Sequence, residues 1–371
     1  MASTAVGVIF TNTHGENIPE LIRRRTVASI PFGGRYRLVD FPLSNMVNSN
    51  ITTIGLMTNN NYRSLIDHIG SGKEWDLARK DGGIILLPPY SDDFEKPYST
   101  RLEGLYGLIG FLKHRREKYV VLSDSNSVAR LDINEIITYH EQKSADITML
   151  THFEIGKEGS HCVFVNSNEE GRVIEVKVNQ RLQRETAGNI YVNLMVINRE
   201  FLMNLIEDSK MKGYTNFETD IIAKQLKSLK IYEYQFQGYY AIIDSMSAYF
   251  RHNMDLLKKE VRNELFGARD MYTKVRDSAP SKYGDDAIVN NSLISDGCEI
   301  EGTVENSILF RGVKIEKGAV VKNCIIMQDT IIGANANINC VITDKNVVIT
   351  AKRVLSGHES LPYHIQKGTK L

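Results

Sequence analysis

The sequence lacks the features that mark secreted, membrane-spanning and zinc-binding proteins. Its four cysteines form no Cys-x-x-Cys pair and no histidine lies at zinc-finger spacing, so neither a disulfide framework nor a zinc site is expected. No apolar run approaches the roughly 18 residues of a membrane helix. The first residues, MASTAVGVIFTNT, show no basic region before a long apolar stretch, so a cytoplasmic location is expected.

A net charge is also absent, since 45 basic side chains balance 45 acidic ones among the 371 residues. No overall field attracts nucleic acid or an anionic membrane, and neither is expected as a partner. A binding site for phosphate must therefore be local. The hydrophobic fraction of 42% is sufficient for a large core, and the length favours two domains.

The region from Val6 to about Tyr249 alternates short β-branched runs with amphipathic stretches. The strands predicted from it are VGVIF from Val6, TTIGLMT from Thr52, YVVLSDS from Tyr119 and DITMLTHF from Asp146, and the helices are NYRSLIDHI from Asn61 and INEIITYHEQ from Ile133. This alternation predicts βα units around a mostly parallel sheet. Ligands of such sheets bind at the carboxyl ends of strands, here near residues 10–17 and 123–127.

The C-terminal part has a different periodicity, which begins after the turn-rich segment RDSAPSKYGDDA. Apolar residues recur every six positions at Ile288, Ile294 and Ile300, at Leu309, Ile315 and Val321, and at Ile326, Ile332 and Ile338. A period of six is typical of a parallel β-helix with three faces, whereas the strands of a β-sandwich would show a period of two. The predicted organisation is an α/β domain over residues 1–255, a linker over 256–286 and a β-helix over 287–371.

Three long segments carry a resemblance to a known family. They are PFGGRYRLVDFPLSNMVNSNI, HIGSGKEWDLARKDGGIILLPPYSDD and IEGTVENSILFRGVKIEKGAVVKNCIIMQDTIIG. The chain resembles bacterial ADP-glucose pyrophosphorylase, or glucose-1-phosphate adenylyltransferase, and most of all its GlgD-type partner subunit. The resemblance implies a Rossmann-like nucleotidyltransferase domain followed by a left-handed β-helix. The family joins ATP and glucose 1-phosphate to give ADP-glucose and pyrophosphate.

The phosphate-binding residues that the resemblance implies are largely replaced. The family's GGxGTRL-type loop reads NTHGENI from Asn12, so only Gly15 remains of its glycines and Asn17 stands at the arginine position. Backbone amides in such a loop cradle a triphosphate. The family's RAKPA segment reads RTVAS, which places Val27 at its lysine. The loop and its cations are therefore not expected to bind ATP as the family does.

The Mg²⁺ aspartates that the resemblance implies are replaced as well. The SGDH-type strand end reads SDSN, with Ser125 at the aspartate, and the YWxDVGT-type segment reads YYAIIDS, with Ile242 at the aspartate. Asp124 and Asp244 are candidate rescuing ligands. A slip of one residue turns Asp124 to the other face of its strand, and Asp244 lies two positions late, where a turn or cap role is favoured.

Both substrate segments lose their characteristic residues. The nucleotide-contact segment GTA reads TRL around Arg101, and the sugar-phosphate segment EKP reads VNQ around Asn179. Losing one such contact typically lowers the rate by about two to three orders of magnitude. No catalytic residue, metal ion or cofactor is therefore expected.

Basic residues outside the reaction centre are retained. In the resembling enzymes, the FGGRYR region and the first turns of the β-helix contribute to effector binding and subunit contacts. Arg35, Arg37, Arg311 and Lys314 are therefore predicted to line an anion pocket for a sugar-phosphate or nucleotide effector. The alternative is that Arg35 and Arg37 are ion-paired scaffold residues.

The favoured function is a non-catalytic or weakly catalytic regulatory subunit that forms a hetero-oligomer with a catalytic subunit, and a homo-oligomer is the further option. An active adenylyltransferase with a rearranged Mg²⁺ site, formed by Asp124, Asp244 and the arginines at 23–25, is the alternative. A β-helix acyltransferase is disfavoured because residues 288–350 contain no histidine. A sugar-phosphate sensor that works without a catalytic partner is a fourth hypothesis.

Overall fold

The computed structural model describes residues 4–88, 98, 100–156, 161–181 and 185–371. Its strands are β1 (Ala5–Phe10), β2 (Pro31–Phe32), β3 (Tyr36–Arg37), β4 (Thr53–Met57), β5 (Gly83–Leu87), β6 (Tyr119–Asp124), β7 (Ser127–Ala129), β8 (Ile147–Gly156), β9 (His161–Ser167), β10 (Val173–Arg181), β11 (Thr186–Asn198), β12 (Ile231–Phe236), β13 (Tyr240–Ile242), β14 (Lys282–Tyr283), β15 (Ile288–Asn290), β16 (Leu293–Ile294), β17 (Glu299–Ile300), β18 (Thr303–Glu305), β19 (Ile308–Leu309), β20 (Lys314–Ile315), β21 (Val320–Lys322), β22 (Ile325–Ile326), β23 (Ile331–Ile332), β24 (Asn337–Asn339), β25 (Val341–Thr343), β26 (Val348–Ile349), β27 (Val354–Ser356) and β28 (Tyr363–Ile365). The α-helices are α1 (Pro19–Ile22), α2 (Asp40–Asn48), α3 (Arg63–Ile69), α4 (Arg101–Tyr106), α5 (Ile109–Lys113), α6 (Ile133–Gln142), α7 (Arg199–Met211), α8 (Met246–Asp255) and α9 (Lys259–Phe266). Short 3-10 helices cover Val27–Ser29 and Lys73–Trp75, and a π-helix covers Phe217–Ala223.

One mixed sheet organises the N-terminal part. Its strand order is β10-β9-β11-β6-β1-β4-β5, and β8 pairs with both β11 and β12. Strand β1 runs parallel to β4 and β6, whereas β11 runs antiparallel to β6 and β8. Every residue of β1 and β6 is buried, as expected for central strands that are covered on both faces.

The four predicted strands correspond to β1, β4, β6 and β8, and the two predicted helices correspond to α3 and α6. Helix α3 begins at Arg63 rather than at Asn61. Asn61 has a φ of 59°, a left-handed conformation that cannot belong to a right-handed helix. The predicted α/β architecture is confirmed, and the antiparallel strands of the sheet are an addition to it.

The C-terminal part forms the predicted left-handed β-helix from three parallel five-stranded sheets. Their orders are β14-β17-β20-β23-β26, β15-β18-β21-β24-β27 and β16-β19-β22-β25-β28. Stacked inward residues such as Val304, Val321 and Ile338 are completely buried. Each inward residue therefore contacts its equivalents in the coils above and below, which gives the domain a continuous apolar core.

The predicted inward position of Ile288 is wrong. Ile288 is 58% exposed, and it is Val289 that pairs with the buried Val304 in the next coil. The inward residues Val304, Leu309 and Ile315 are separated by five and then six positions. One face of each coil is shorter by a residue, so a strict period of six fails at the first coil.

The described residues group into two compact units. The first contains those up to Thr13 and those of 42–62 and 70–240, and the second contains His14–Phe41, Arg63–Ile69 and Ala241–Leu371. The second unit thus joins the β-helix to earlier segments of the chain. The limits at residues 255 and 287 remain a prediction from the sequence. No helix in the described part of the chain is both long and apolar enough to span a membrane.

Replacing Ile332 by alanine should lower the free energy of unfolding by about 2–5 kcal/mol, because a buried aliphatic side chain is lost from a close-packed column. Val354→Ala is the matched control, since Val354 is 74% exposed and its loss should cost less than about 0.5 kcal/mol. Denaturant unfolding monitored by circular dichroism measures both. Equal losses would contradict a tightly packed coil core.

Candidate functional site

The segment that corresponds to the family's triphosphate loop packs against apolar side chains through Gly15 and Ile18, whereas His14, Glu16 and Asn17 are exposed. Gly15 is buried, and a Cβ atom at this position would lie 2.7 Å from Ile22 Cδ1 and 3.2 Å from Val27 Cγ2. Val27 is only 1% exposed, while Asn17 is exposed. The glycine therefore allows close packing of aliphatic side chains. Val27 offers no cation to a phosphate group.

A buried arginine lies at the position of the family's nucleotide contact. Arg101 is the first residue of α4, whose N-terminus is capped by the Thr100 side chain. Its Nη2 atom lies 2.6 Å from Asp124 Oδ2, and its Nη1 atom lies 3.0 Å from Glu218 Oε1. The side chains of Arg101 and Asp124 are 6% and 0% exposed. One guanidinium group thus bridges two carboxylates inside the first unit.

Aromatic groups complete the surroundings of Arg101. Its Nη1 atom donates a hydrogen bond to the Tyr191 hydroxyl at 3.2 Å, and its guanidinium lies 5.5 Å from the centre of the Phe10 ring. Burial alone would lower the pKa of Arg101, but Asp124, Tyr191 and Glu218 raise it above its ordinary value. The arginine is therefore permanently charged, and removing either partner would leave a buried charge uncompensated.

These residues do not fit a Mg²⁺ ion. The Oδ2 atom of Asp124 is engaged by Arg101, and the residue has no exposed surface, so a metal ion could reach this carboxylate only if the surrounding side chains opened. Ser125, at the family's aspartate position, is also fully buried. Across the part of the chain that the structure describes, no three His, Cys, Asp or Glu side chains form a group that could hold a metal ion.

The second candidate metal ligand lies in the other unit. Asp244 is partly exposed and follows β13, which ends at Ile242. The residue that caps α8 is its neighbour Ser245, whose Oγ accepts a hydrogen bond from the amide of Ala248 at 3.2 Å. The cap role considered for Asp244 therefore belongs to Ser245. Asn179 falls within β10, but its side chain lies outside the described residues.

A cluster of basic residues gathers in the second unit, and it is called the cation cluster below. The residues that line it are Arg35, Arg37, Asp67, His68, Lys274, Arg276, Arg311 and Gln328. Three of the four predicted anion-binding residues are thus brought together. The fourth, Lys314, is not among them and pairs with Glu299 at 2.9 Å on the β-helix surface.

In the described contacts, the guanidinium group of Arg37 forms hydrogen bonds but no ion pair. Its Nη1 atom donates to the backbone oxygen of Ser64 at 2.5 Å and to the Ser64 hydroxyl at 2.9 Å. The nearby carboxylate of Asp40 accepts the Arg37 amide and lies 2.6 Å from His68 Nε2. Burial lowers the pKa of Arg37 to about 10. Its guanidinium is therefore positioned by hydrogen bonds rather than neutralised.

Arg311 is positioned in a similar way. Its two Nη atoms lie 3.3 and 3.4 Å from the backbone oxygen of Lys274, and its Nε atom is 3.8 Å from the nearest oxygen of Asp296. Burial, and then the charge of Arg35, lower its pKa. Like charges in a half-dry cluster destabilise one another, and a bound anion would relieve this repulsion.

Lys345 adds a further charge beside these arginines. The adjacent carboxylate of Asp344 is bound by Arg25, whose Nη2 atom lies 2.6 and 2.8 Å from its two oxygens. Burial, and then the charges of Arg37 and Arg25, lower the pKa of Lys345 to about 7. The amine is therefore close to losing its proton at neutral pH.

The sequence analysis missed several of these residues. It did not connect Arg101 with Asp124, and it passed over Glu218, Lys274 and Lys345. Of these residues, only Arg101 could have been noticed in the sequence, because it is a charged residue that precedes the apolar positions of a short helix. The others are distant in sequence from any recognised motif.

A mixed sheet followed by a hexapeptide β-helix is the architecture of nucleotidyltransferases that carry a β-helix domain. In agreement, the nucleotidyl transferase family profile matches residues 6–259, and the GlmU-like C-terminal hexapeptide profile matches residues 278–360.

Comparison with individual relatives places the chain in a narrower group within this class. The chain is 34% identical to the glycogen biosynthesis protein GlgD of Bacillus subtilis, over 98% of this chain and 96% of the relative. It is 38% identical to GlgD of Geobacillus stearothermophilus, over 86% and 84% of the two chains. It is 32% identical to a glucose-1-phosphate adenylyltransferase of Clostridium perfringens, over 88% and 84%. The chain belongs to the nucleotidyl transferase family, in the group that contains the GlgD proteins and the glucose-1-phosphate adenylyltransferases.

Arg101→Met should lower the free energy of unfolding by about 3–5 kcal/mol, because Asp124 is left buried without its partner. Adding Asp124→Asn should recover part of this loss, since the uncompensated charge is then removed. The control is Lys113→Met, whose ion pair with Glu207 is exposed and should contribute less than about 1 kcal/mol. Chemical denaturation of the four proteins provides the comparison, and a tolerated Arg101→Met variant would contradict the buried ion pair.

Lys345 should make the wild-type protein more stable as the pH rises from 7 towards 10. Over this range the unfolded chain keeps the lysine proton while the native state has lost it, and below pH 7 both states are charged. The expected slope is at most about 1.4 kcal/mol per pH unit.

Lys345→Met should abolish this slope and be most stabilising near pH 6. The control, Lys317→Met, changes a residue whose side chain is 78% exposed, and should preserve the slope. Unfolding free energies measured between pH 6 and 9.5 test both variants. If the unfolding free energies of wild type and Lys345→Met depended on pH in the same way, the lowered pKa of Lys345 would be contradicted.

Proposed function

We propose that the chain is a non-catalytic or weakly catalytic regulatory subunit of ADP-glucose pyrophosphorylase in bacterial glycogen biosynthesis. Its role is to modulate a catalytic subunit that makes ADP-glucose from ATP and glucose 1-phosphate. The names of its GlgD and adenylyltransferase relatives support the pathway. A cytoplasmic hetero-oligomer, or a homo-oligomer in the absence of the catalytic subunit, is the corresponding assembly.

The observation that carries the proposal is the buried bridge from Arg101 to Asp124 and Glu218. A nucleotide that used this part of the first unit would have to displace the guanidinium. In the second unit, the buried Val27 stands where the family has a lysine. Opening a buried ion pair costs several kcal/mol before any substrate contact forms. Catalysis requires cations and metal ligands that are already positioned to stabilise the transition state. The described residues of the first unit do not provide such a set.

The cation cluster supports the regulatory half of the proposal. Arg35, Arg37 and Arg311 converge within one unit, and the guanidinium of Arg37 is held by the neutral groups of Ser64. Guanidinium groups bind phosphate oxygens bidentately. A sugar-phosphate or nucleotide effector that binds here would also stabilise the surrounding segments of the unit. An effector controls a neighbouring subunit when it binds one state of the assembly more tightly than the other.

A second candidate function is an active adenylyltransferase whose metal site is rearranged. Its support is the 32% identity with the Clostridium perfringens enzyme over most of both chains. The closed Arg101 bridge favours the regulatory function over this one, because Asp124 is the ligand that the rearranged site needs.

Titrating the wild-type chain into a catalytic subunit should change the rate of pyrophosphate release or its dependence on substrate concentration, and an effector should alter this change. The Arg35→Ala/Arg311→Ala variant should respond at least ten-fold more weakly to the effector, because two phosphate-binding groups are lost. Lys314→Ala is the matched control and should respond like wild type, since Lys314 lies outside the cluster. An unaltered catalytic rate at saturating wild-type chain would overturn the proposal.

A further inference from the structure

One corner of the β-helix carries a ladder of polar side chains. Its members, Asp296, Arg311, Gln328 and Lys345, occupy equivalent places in four successive coils. Backbone hydrogen bonds between coils show this equivalence. The amide of Gly312 donates to Asp296 O at 3.2 Å, that of Asp329 to Arg311 O at 3.1 Å, and that of Asn346 to Gln328 O at 2.9 Å. Each donor is the residue directly after the next member of the set. This set of residues is called the corner ladder below.

Backbone geometry fixes the ladder. The residues that follow Arg311, Gln328 and Lys345 have φ values of 70°, 57° and 57°, so the chain turns in the same left-handed conformation in each coil. Glycine, Asp and Asn fill these places, the residues that adopt positive φ most readily. Adjacent coils are separated by about 4.8 Å, the spacing of neighbouring strands. Gln328 therefore lies directly between Arg311 and Lys345.

Gln328 differs chemically from its neighbours in the ladder. The guanidinium of Arg311 and the charged form of Lys345 offer only hydrogen-bond donors, whereas the amide of Gln328 also provides an acceptor oxygen. This oxygen is buried and has no hydrogen-bond partner among the described residues, and Gln328 is one of the residues that line the cation cluster. A buried acceptor without a donor is unfavourable, so a ligand that supplies a donor is favoured over a ligand that does not.

We propose that Gln328 is the specificity-determining residue of the anion site, and that it selects a phosphate monoester carrying a hydroxyl group over a bare or alkyl phosphate. The guanidinium of Arg311 binds the phosphate group. The Gln328 oxygen, one coil further along, accepts a hydrogen bond from a hydroxyl group a few bonds away on the same ligand. The inference rests on the anion site of the proposed function and adds the chemistry of its ligand.

The test uses the full chain alone and two probes that differ only in their hydroxyl groups, glycerol 3-phosphate and propyl phosphate. Isothermal calorimetry should show that the wild-type chain binds glycerol 3-phosphate about ten-fold more tightly, as expected for one hydrogen bond to a buried acceptor. Gln328→Met, which keeps the length of the side chain without its acceptor, should bind the two probes equally. Its affinity for propyl phosphate should match that of wild type.

Two further variants test the anion site itself, separately from the role of Gln328 in it. Arg311→Met should weaken both probes at least ten-fold, and Lys314→Met should change neither. Equal binding of the probes by wild type, or an equal loss of both in a folded Gln328→Met variant, would overturn the role of Gln328. Circular dichroism and the melting temperature establish that each variant is folded. The regulatory function is judged separately, by the rate of the catalytic subunit, so either idea can fail while the other stands.

Discussion

A buried guanidinium group held between the buried carboxylate of Asp124 and the partly buried carboxylate of Glu218 determines how the first unit must be understood. Arg101 bridges Asp124 and Glu218 at the end of the central strand β6, where a doubly wound sheet would bind its ligand. In a low-dielectric interior these charges stabilise the fold only as a complete set. The protein therefore uses its own cation in a region where a nucleotidyltransferase needs substrate and metal.

The second unit shows the reverse arrangement. Here the basic side chains that line the cluster outnumber the acidic ones, and the guanidinium groups of Arg37 and Arg311 are held largely by neutral oxygen atoms of Ser64 and Lys274. Such a cluster destabilises the unit without an anion. Burial, and then the charges of Arg37 and Arg25, lower the pKa of Lys345 beside it. This excess of positive charge is the basis of the anion site proposed in the second unit, and of the regulatory role proposed for the chain.

The sequence was sufficient for the architecture because both domains have strong periodic signals. The period of six predicted the β-helix but misplaced Ile288, since the short face of each coil shifts the register by one residue. The replacements at Asn17, Val27 and Ser125 could be recognised in the sequence, but the burial of Val27 and Ser125 could not. Partners such as Glu218 and Lys345 depend on contacts between distant segments, which no local pattern encodes.

The most direct measurement of the central claim is pyrophosphate release by the purified chain supplied with ATP, glucose 1-phosphate and Mg²⁺. The buried Arg101 bridge predicts turnover at or below the background rate, at every substrate concentration tested, in a preparation shown to be folded. Turnover comparable to that of a catalytic subunit would contradict the account. It would mean that the bridge opens in solution and that Asp124 is available to a metal ion.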